Sequence, residues 1–113
     1  MLRLVLLLLL LTPLPALADS FVAGTEDVPL MPGLQPVAGS AISFDKPQGR
    51  IVEAQASGKV TRAAVRQFYA STLPQLGWKP AGAETWRRER EMLRLDFHGQ
   101  DGELTVGFTL SPH

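Results

Sequence analysis

The sequence predicts an α+β fold with the element order ββαβββ, in which one helix packs on one face of a mostly antiparallel sheet. Two observations support this prediction. Apolar and polar residues alternate over residues 40–46, 93–98 and 104–110, which is the period of strands with one buried face and one wet face. Between these stretches, an apolar stripe repeats at helical spacing over residues 65–76.

The first two strands form a predicted hairpin around residues 47–49 (PQG). We expect a three-residue loop with its glycine in the left-handed conformation, which places Ile42 opposite Ala54 and turns Phe44 to the same buried face. A two-residue loop would put Glu53 opposite Ile42. The three-residue loop is preferred because a slip of one residue would turn the apolar side chains to solvent.

The helix is predicted to begin at Thr61, a good N-cap residue. Its apolar stripe consists of Val65, Phe68, Tyr69, Thr72 and Leu76. Pro74 removes a backbone N–H, so we expect the helix to end or kink near it. Gly77 is the expected left-handed residue just past the helix end.

The last three strands form a predicted meander. A loop at residues 89–90 places Trp86 opposite Leu93, and a loop at residues 100–101 places Leu93 opposite Phe108. The expected core consists of Ile42, Phe44, Val65, Phe68, Trp86, Leu95 and Val106.

Residues 1–18 contain the three parts of a cleavable secretory signal: a basic start with Arg3, the apolar run 4–11, and an A-x-A site. Cleavage is expected between Ala18 and Asp19. An uncleaved anchor is the alternative, but the run is shorter than the roughly 20 residues of a membrane span, and two prolines follow it. The chain has no cysteine to carry a lipid. We therefore predict a periplasmic or secreted bacterial protein without stable membrane insertion after cleavage.

The mature chain divides into an irregular segment rich in proline and glycine, residues 19–39, and a small α+β domain, residues 40–113. The first segment contains apolar residues that either pack on the domain or form a partner contact. They are Val28, Leu30, Met31 and Leu34.

Composition argues against several functions. The chain has eleven Lys and Arg, one of them Arg3 in the signal, against eleven Asp and Glu, so the mature net charge is about −1 and nucleic acid is not the expected partner. A serine triad needs a positioned histidine. The sequence offers only His98, expected to pair with Glu103, and the last residue, His113. We predict no enzyme, no catalytic or metal-binding residue and no cofactor.

Two charged clusters are alternative sites. Arg94, Asp96 and His98 alternate on the polar face of a strand and could serve a small-ligand binder or an enzyme. Lys59, Arg62 and Arg66 surround the start of the helix, where cations are unfavourable, and could bind an anionic surface.

Three stretches resemble a group of small exported proteobacterial proteins of unknown function. They are residues 27–34 (DVPLMPGL), 44–51 (FDKPQGRI) and 65–78 (VRQFYASTLPQLGW). The resemblance implies export and a non-enzymatic protein, and it transfers no catalytic residue to this sequence. The expected function is that of a small, exported, non-enzymatic module that binds a protein or envelope component.

Overall fold

The computed structural model describes residues 20–113, so the predicted signal and its cleavage site at Ala18 and Asp19 lie outside the described residues. The strands are β1 (Leu34–Pro36), β2 (Ile42–Lys46), β3 (Gly49–Gly58), β4 (Lys79–Gly82), β5 (Thr85–Arg88), β6 (Glu91–Gln100) and β7 (Glu103–Pro112). Helix α1 spans Arg62–Thr72 and continues into a short 3-10 helix, Leu73–Leu76. The α+β class is confirmed. The predicted order ββαβββ is wrong, because three strands precede α1 and four follow it in the described part.

All seven strands belong to one antiparallel sheet with the order β1-β3-β7-β6-β5-β4. β2 and β1 pair with the same edge of β3: β2 with its first half, residues 49–53, and β1 with its end, residues 56–58. The two unpredicted strands, β1 and β4, are three and four residues long and each contains a proline. Such short segments have no alternating pattern to detect, and their strand conformation depends on pairing with β3 and β5.

The first hairpin has the register that the sequence analysis disfavoured. Lys46 pairs with Gly49 across a two-residue loop, and Ile42 lies opposite Glu53. Ile42 and Phe44 are therefore exposed and not part of the core. On the covered face, the irregular segment that precedes the domain, here called the N-terminal segment, packs beside β3. Its Gly24 lies so close to Val52 that an added Cβ would be 2.8 Å from Val52 Cγ1.

The β6–β7 hairpin is displaced by two residues from its predicted register. Leu93 pairs with Leu110 and not with Phe108, because the loop is Asp101-Gly102. Gly102 has φ +94°, which a glycine adopts without strain. A shift of two residues preserves the alternation, so the predicted apolar side chains still face the core. The other predicted pair, Trp86 with Leu93, is confirmed.

The helix ends are as predicted. The Thr61 hydroxyl accepts a hydrogen bond from the Ala64 N–H, and Gly77 adopts φ +94° after the 3-10 turn that contains Pro74. The Trp78 N–H then donates to the Leu73 carbonyl. This chain reversal turns the buried Trp78 ring toward the core.

The core lies between α1 and one face of the sheet, here called the covered face. Its buried members include Ala54, Ala56, Val65, Tyr69, Leu73, Trp78, Leu93, Leu95, Leu104, Val106 and Phe108. Of the predicted core, Phe68 and Trp86 are half-buried and pack against this cluster. The Tyr69 ring meets Phe108 edge to face, with centroids 5.7 Å apart. No helix within residues 20–113 is both long enough and apolar enough to cross a membrane.

Candidate functional site

The opposite face of the sheet, here called the open face, is covered by no helix. Strand alternation turns Glu53 and Gln55 of β3, Thr109 of β7, and Arg94 and Asp96 of β6 to this face. Arg94 pairs with Thr109, which pairs with Glu53 on its other side, so the two charged residues are about 10 Å apart across the sheet. The open face therefore presents charges of both signs at fixed positions.

A groove of about 470 Å³ runs across this face. One wall is formed by Arg94, Asp96 and His98, the three residues singled out from the sequence as a cluster. The other wall is formed by Gly39, Ser40, Ile42, Glu53 and Gln55. The sheet thus brings the predicted cluster to one side of a concave surface whose other side was not predicted.

Gly107 forms the floor of the groove. It pairs with Asp96 on one side and with Gln55 on the other, at the centre of the sheet. A Cβ at this position would lie 2.6 Å from Asp96 Oδ1 and 2.9 Å from Oδ2. The Asp96 carboxylate therefore occupies the space next to Gly107 that the side chain of any other residue at position 107 would need. A lone glycine inside an alternating strand is a sequence signal for such a close approach.

Asp96 and His98 form a hydrogen-bonded pair on one wall of the groove. His98 Nε2 lies 2.7 Å from Asp96 Oδ1, and the His98 side chain is 63% exposed. The expected partner, Glu103, is not used, because the two-residue shift of the hairpin places Thr105 opposite His98. The pair is local, since residues two apart on one strand share a face.

Ser40 closes the other wall by bonding to the edge of β3. Its Oγ accepts a hydrogen bond from the Gln55 N–H at 3.0 Å and donates to the Gln55 carbonyl at 3.3 Å. This hydroxyl fills the gap between the two strands, β1 and β2, that pair with the same edge. Because the Ser40 hydroxyl already donates to and accepts from the Gln55 backbone, Ser40 is a structural part of the wall.

The cations at the start of α1 have partners within the chain. The Arg62 backbone N–H donates to Asp101 Oδ1 at 2.9 Å, and its guanidinium donates to the Gly99 carbonyl at 2.8 Å. Arg66 pairs with Glu84 at 3.0 Å. The carboxylate of Asp101, at the β6–β7 turn, thus occupies the helix N-terminus, where an anion is favourable. The third predicted residue, Lys59, is exposed.

The predicted contact residues of the N-terminal segment pack on the chain's own domain. Val28 and Leu34 belong to the buried core, and Leu30 and Met31 are half-buried against it. Val28 is fully buried, at 0% exposure. Of the two interpretations that the sequence left open for these four residues, the structure favours packing on the domain.

Tyr69 holds this segment in place. Its hydroxyl donates to the Pro29 carbonyl at 2.7 Å and accepts a hydrogen bond from the Met31 N–H at 3.2 Å. Burial raises the pKa of the Tyr69 hydroxyl well above its ordinary value, and the hydrogen bond from Met31 offsets this only in part. Both polar ends of the contact lie far from Tyr69 in sequence, so no local pattern could reveal it.

Arg88 is a second attachment point that sequence reasoning missed. Its guanidinium lies 2.7 Å from Asp27, 3.3 Å from Glu91 and 4.3 Å from the centre of the Trp78 ring. Burial lowers the pKa of Arg88, but the hydrogen bonds and charges of Asp27 and Glu91 raise it more, so the net shift is upward. Arg88 therefore stays charged and ties the N-terminal segment to the β5–β6 hairpin.

Comparison with protein-family models, with curated proteins and with solved structures finds no match for this chain. Within residues 20–113, no three His, Asp or Glu side chains converge in a way that could hold a metal ion.

Proposed function

We propose that the chain is a small, exported, non-enzymatic binding module that holds a protein or envelope component on its open face. The observation that carries this proposal is the groove over Gly107, with Arg94, Asp96 and His98 on one wall and Ile42 and Glu53 on the other. The groove is open to solvent and lies outside the core, so a segment of a larger molecule can enter it without any change in the fold.

The chemistry of the groove suits a polypeptide or a similarly mixed polymer. Arg94 can bind a carboxylate or a carbonyl oxygen, and Glu53 can accept from an amine or an amide N–H. Neither residue has an ion-pair partner among the described residues. The exposed Ile42 side chain adds an apolar contact at the rim. A ligand that offers donors, acceptors and an apolar group in succession satisfies all three.

The state of the polar side chains supports a binding role over catalysis. The Ser40 hydroxyl is bonded to the backbone of Gln55 on both its donor and acceptor sides. His98 is mostly exposed and its Nε2 is engaged by Asp96. A nucleophile needs an adjacent base within hydrogen-bond reach, and Ser40 is held by Gln55 instead.

Export and an envelope location belong to the same proposal and rest on the signal pattern of residues 1–18. N-terminal sequencing of the chain recovered from a bacterial periplasmic extract tests this. We expect the mature chain to start at Asp19. Recovery of the full-length chain in the cytoplasmic fraction would contradict export.

The groove is tested by site-specific photo-crosslinking in living cells. A photoreactive phenylalanine analogue replaces Gln55 in the groove or, as the matched control, Gln67, which is exposed on α1 at the other side of the molecule. We expect one adduct of defined mass from position 55 and none from position 67. The adduct should disappear when Arg94→Glu is added. Equal adducts from both positions, or none from position 55, would reject the groove as the contact site.

A small-ligand binder or enzyme that uses Arg94, Asp96 and His98 is the second candidate. The volume of about 470 Å³ favours it, because it lies within the range of roughly 300–1,000 Å³ typical of ligand pockets. Titration with free dipeptides and sugars, followed by the ring proton resonances of His98, separates the two. Saturable chemical-shift changes with one small compound would support a small-ligand binder in place of a macromolecular partner. Unchanged His98 resonances with every compound would exclude the small-ligand binder.

An anionic-surface binder through Lys59, Arg62 and Arg66 has less support, because Asp101 and Glu84 already neutralise two of the three cations. Binding to anionic vesicles that weakens with added salt is its signature.

A further inference from the structure

The sheet has two edges, and most of their length is blocked against further strand pairing. In β1, the Leu34 N–H already donates to the Met31 carbonyl at 3.1 Å, and Pro36 has no N–H. In β4, Pro80 has no N–H, and the register shifts between Pro80 and Gly82. Prolines, bulges and short edge strands are the devices by which proteins prevent edge-to-edge association.

The β2 edge contains neither a proline nor a bulge. Both backbone groups of Gln55 point to this side of β3, since they bond to Ser40 Oγ and to the Val37 N–H. By alternation the N–H and C=O groups of Glu53 point to the same side of β3. They bond to Ile42, whose own N–H and C=O groups therefore point toward β3. The intervening Ser43 and the equivalent Asp45 therefore direct their N–H and C=O groups away from the sheet.

The side chains of β2 are exposed along its whole length. Ile42 is 53% exposed and Phe44 is 43% exposed, and both lie on the open face. They are two of the four large exposed apolar residues in the described part of the chain. An unprotected edge flanked by apolar side chains is a template for pairing with another strand.

We propose that a second copy of this chain pairs with the β2 edge in antiparallel fashion, with Phe44 of both copies facing each other on the twofold axis. This register aligns the entire strand: Ser43 lies opposite Asp45 of the second copy, and the two exchange backbone hydrogen bonds. A shift by two residues in one direction would bring the two Asp45 carboxylates opposite each other, which is repulsive. A shift in the other direction shortens the overlap.

The charges of the two copies are complementary in this register. Lys46 lies opposite Ile42 of the second copy, whose neighbour within its own sheet is Glu53. The long Lys46 side chain reaches across Ile42 toward that carboxylate, and the contact occurs twice by symmetry. Among the described residues, neither Lys46 nor Glu53 has an ion-pair partner within its own chain.

The twofold axis is perpendicular to the sheet, so the two open faces lie on the same side of the dimer. Their grooves then form parts of one continuous surface. A five-residue edge buries less than the roughly 1,600 Å² of a standard interface, so we expect a weak dimer with a dissociation constant on the order of 100 μM. Pairing by strand addition therefore predicts a concentration-dependent equilibrium between monomer and dimer.

Sedimentation velocity of the chain without residues 1–18, over a wide concentration series, measures this equilibrium. Ser43→Lys places a lysine opposite Asp45 of the second copy and should tighten the dimer about fivefold. Ser43→Asp places two carboxylates opposite each other and should weaken it about fivefold. Ser71→Lys and Ser71→Asp, at an exposed position on α1, are the matched controls and should change nothing.

A chain that stays monomeric at every concentration would overturn the proposal, and so would two Ser43 variants that shift the equilibrium in the same direction. The measurement involves the chain alone and no groove ligand. Its failure would therefore leave the proposed binding function standing, and failure of the crosslinking experiment would leave the dimer standing.

Discussion

The two faces of the sheet use the same strands for different purposes. On the covered face, Leu104 and Val106 are completely buried beneath α1. On the open face, their neighbours Thr105 and Gly107 alternate with them, and Gly107 lines the polar groove. Stability therefore resides on the covered side of each strand, whereas the proposed recognition uses the other side, so substitutions one residue apart should have separable effects.

The largest expected contrast lies within β7. Leu104→Ala removes a fully buried side chain and should lower the free energy of unfolding by about 2–5 kcal/mol. Thr105→Ala, on the open face, should change it by no more than about 0.5 kcal/mol. Urea denaturation followed by circular dichroism measures both. Comparable losses in the two variants would mean that the two faces are not independent.

An intermediate effect is expected where the N-terminal segment is fastened to the covered side. Tyr69→Phe leaves the Pro29 carbonyl and the Met31 N–H without their partner and should cost about 1–3 kcal/mol. The same denaturation experiment measures this. A loss below about 0.5 kcal/mol would indicate that the segment contributes little to the stability of the domain.

The same residue gives the stability a definite pH dependence. The pKa of Tyr69 is higher in the folded than in the unfolded chain, so its contribution is complete below about pH 10, the unfolded value, and is lost as the pH rises toward the folded value. Tyr69 is the only tyrosine, so tyrosinate absorbance reports it alone. We expect this absorbance to appear only together with unfolding. Ionisation before any loss of circular dichroism would contradict the buried hydrogen bond.

A small stability effect is also expected at the floor of the groove. Gly107→Ala places a methyl group against the Asp96 carboxylate, whose side chain can rotate away, so the cost should be below about 1 kcal/mol. The methyl group should fill the floor of the groove, and the displaced Asp96 carboxylate should lose its hydrogen bond with His98. Nuclear magnetic resonance of the His98 ring detects this. An unchanged ring environment would show that the groove tolerates a side chain at this position.

The fold class and the buried residues of the last strands could be predicted because alternation and helix caps are local signals. Thr61 and Gly77 have their predicted roles because a cap needs only its own neighbours. The two register errors arose at turns. The dipeptide Asp101-Gly102 is a strong hairpin signal and sets the observed register of β6 and β7. The exposed side chains of Ile42 and Phe44 violate the rule that apolar strand faces are buried.

The candidate site was predictable only in part. Alternation placed Arg94, Asp96 and His98 together on the polar face. The opposite wall depends on Ser40, which reaches β3 from an irregular connection, and the sequence has no periodic signal there. The contacts of Tyr69 and Arg88 with the N-terminal segment join residues from opposite halves of the chain. Only the assembled fold brings such pairs together.

The central position of the last strand has a consequence for the order in which the protein can fold. β7 lies between β3 and β6, so the sheet cannot be completed until residues 103–112 have been synthesised. A chain still emerging from the ribosome, which begins with its N-terminus, can form hairpins but no closed core. The complete sheet therefore cannot form before β7 has emerged, which is compatible with the proposed export of an unfolded chain.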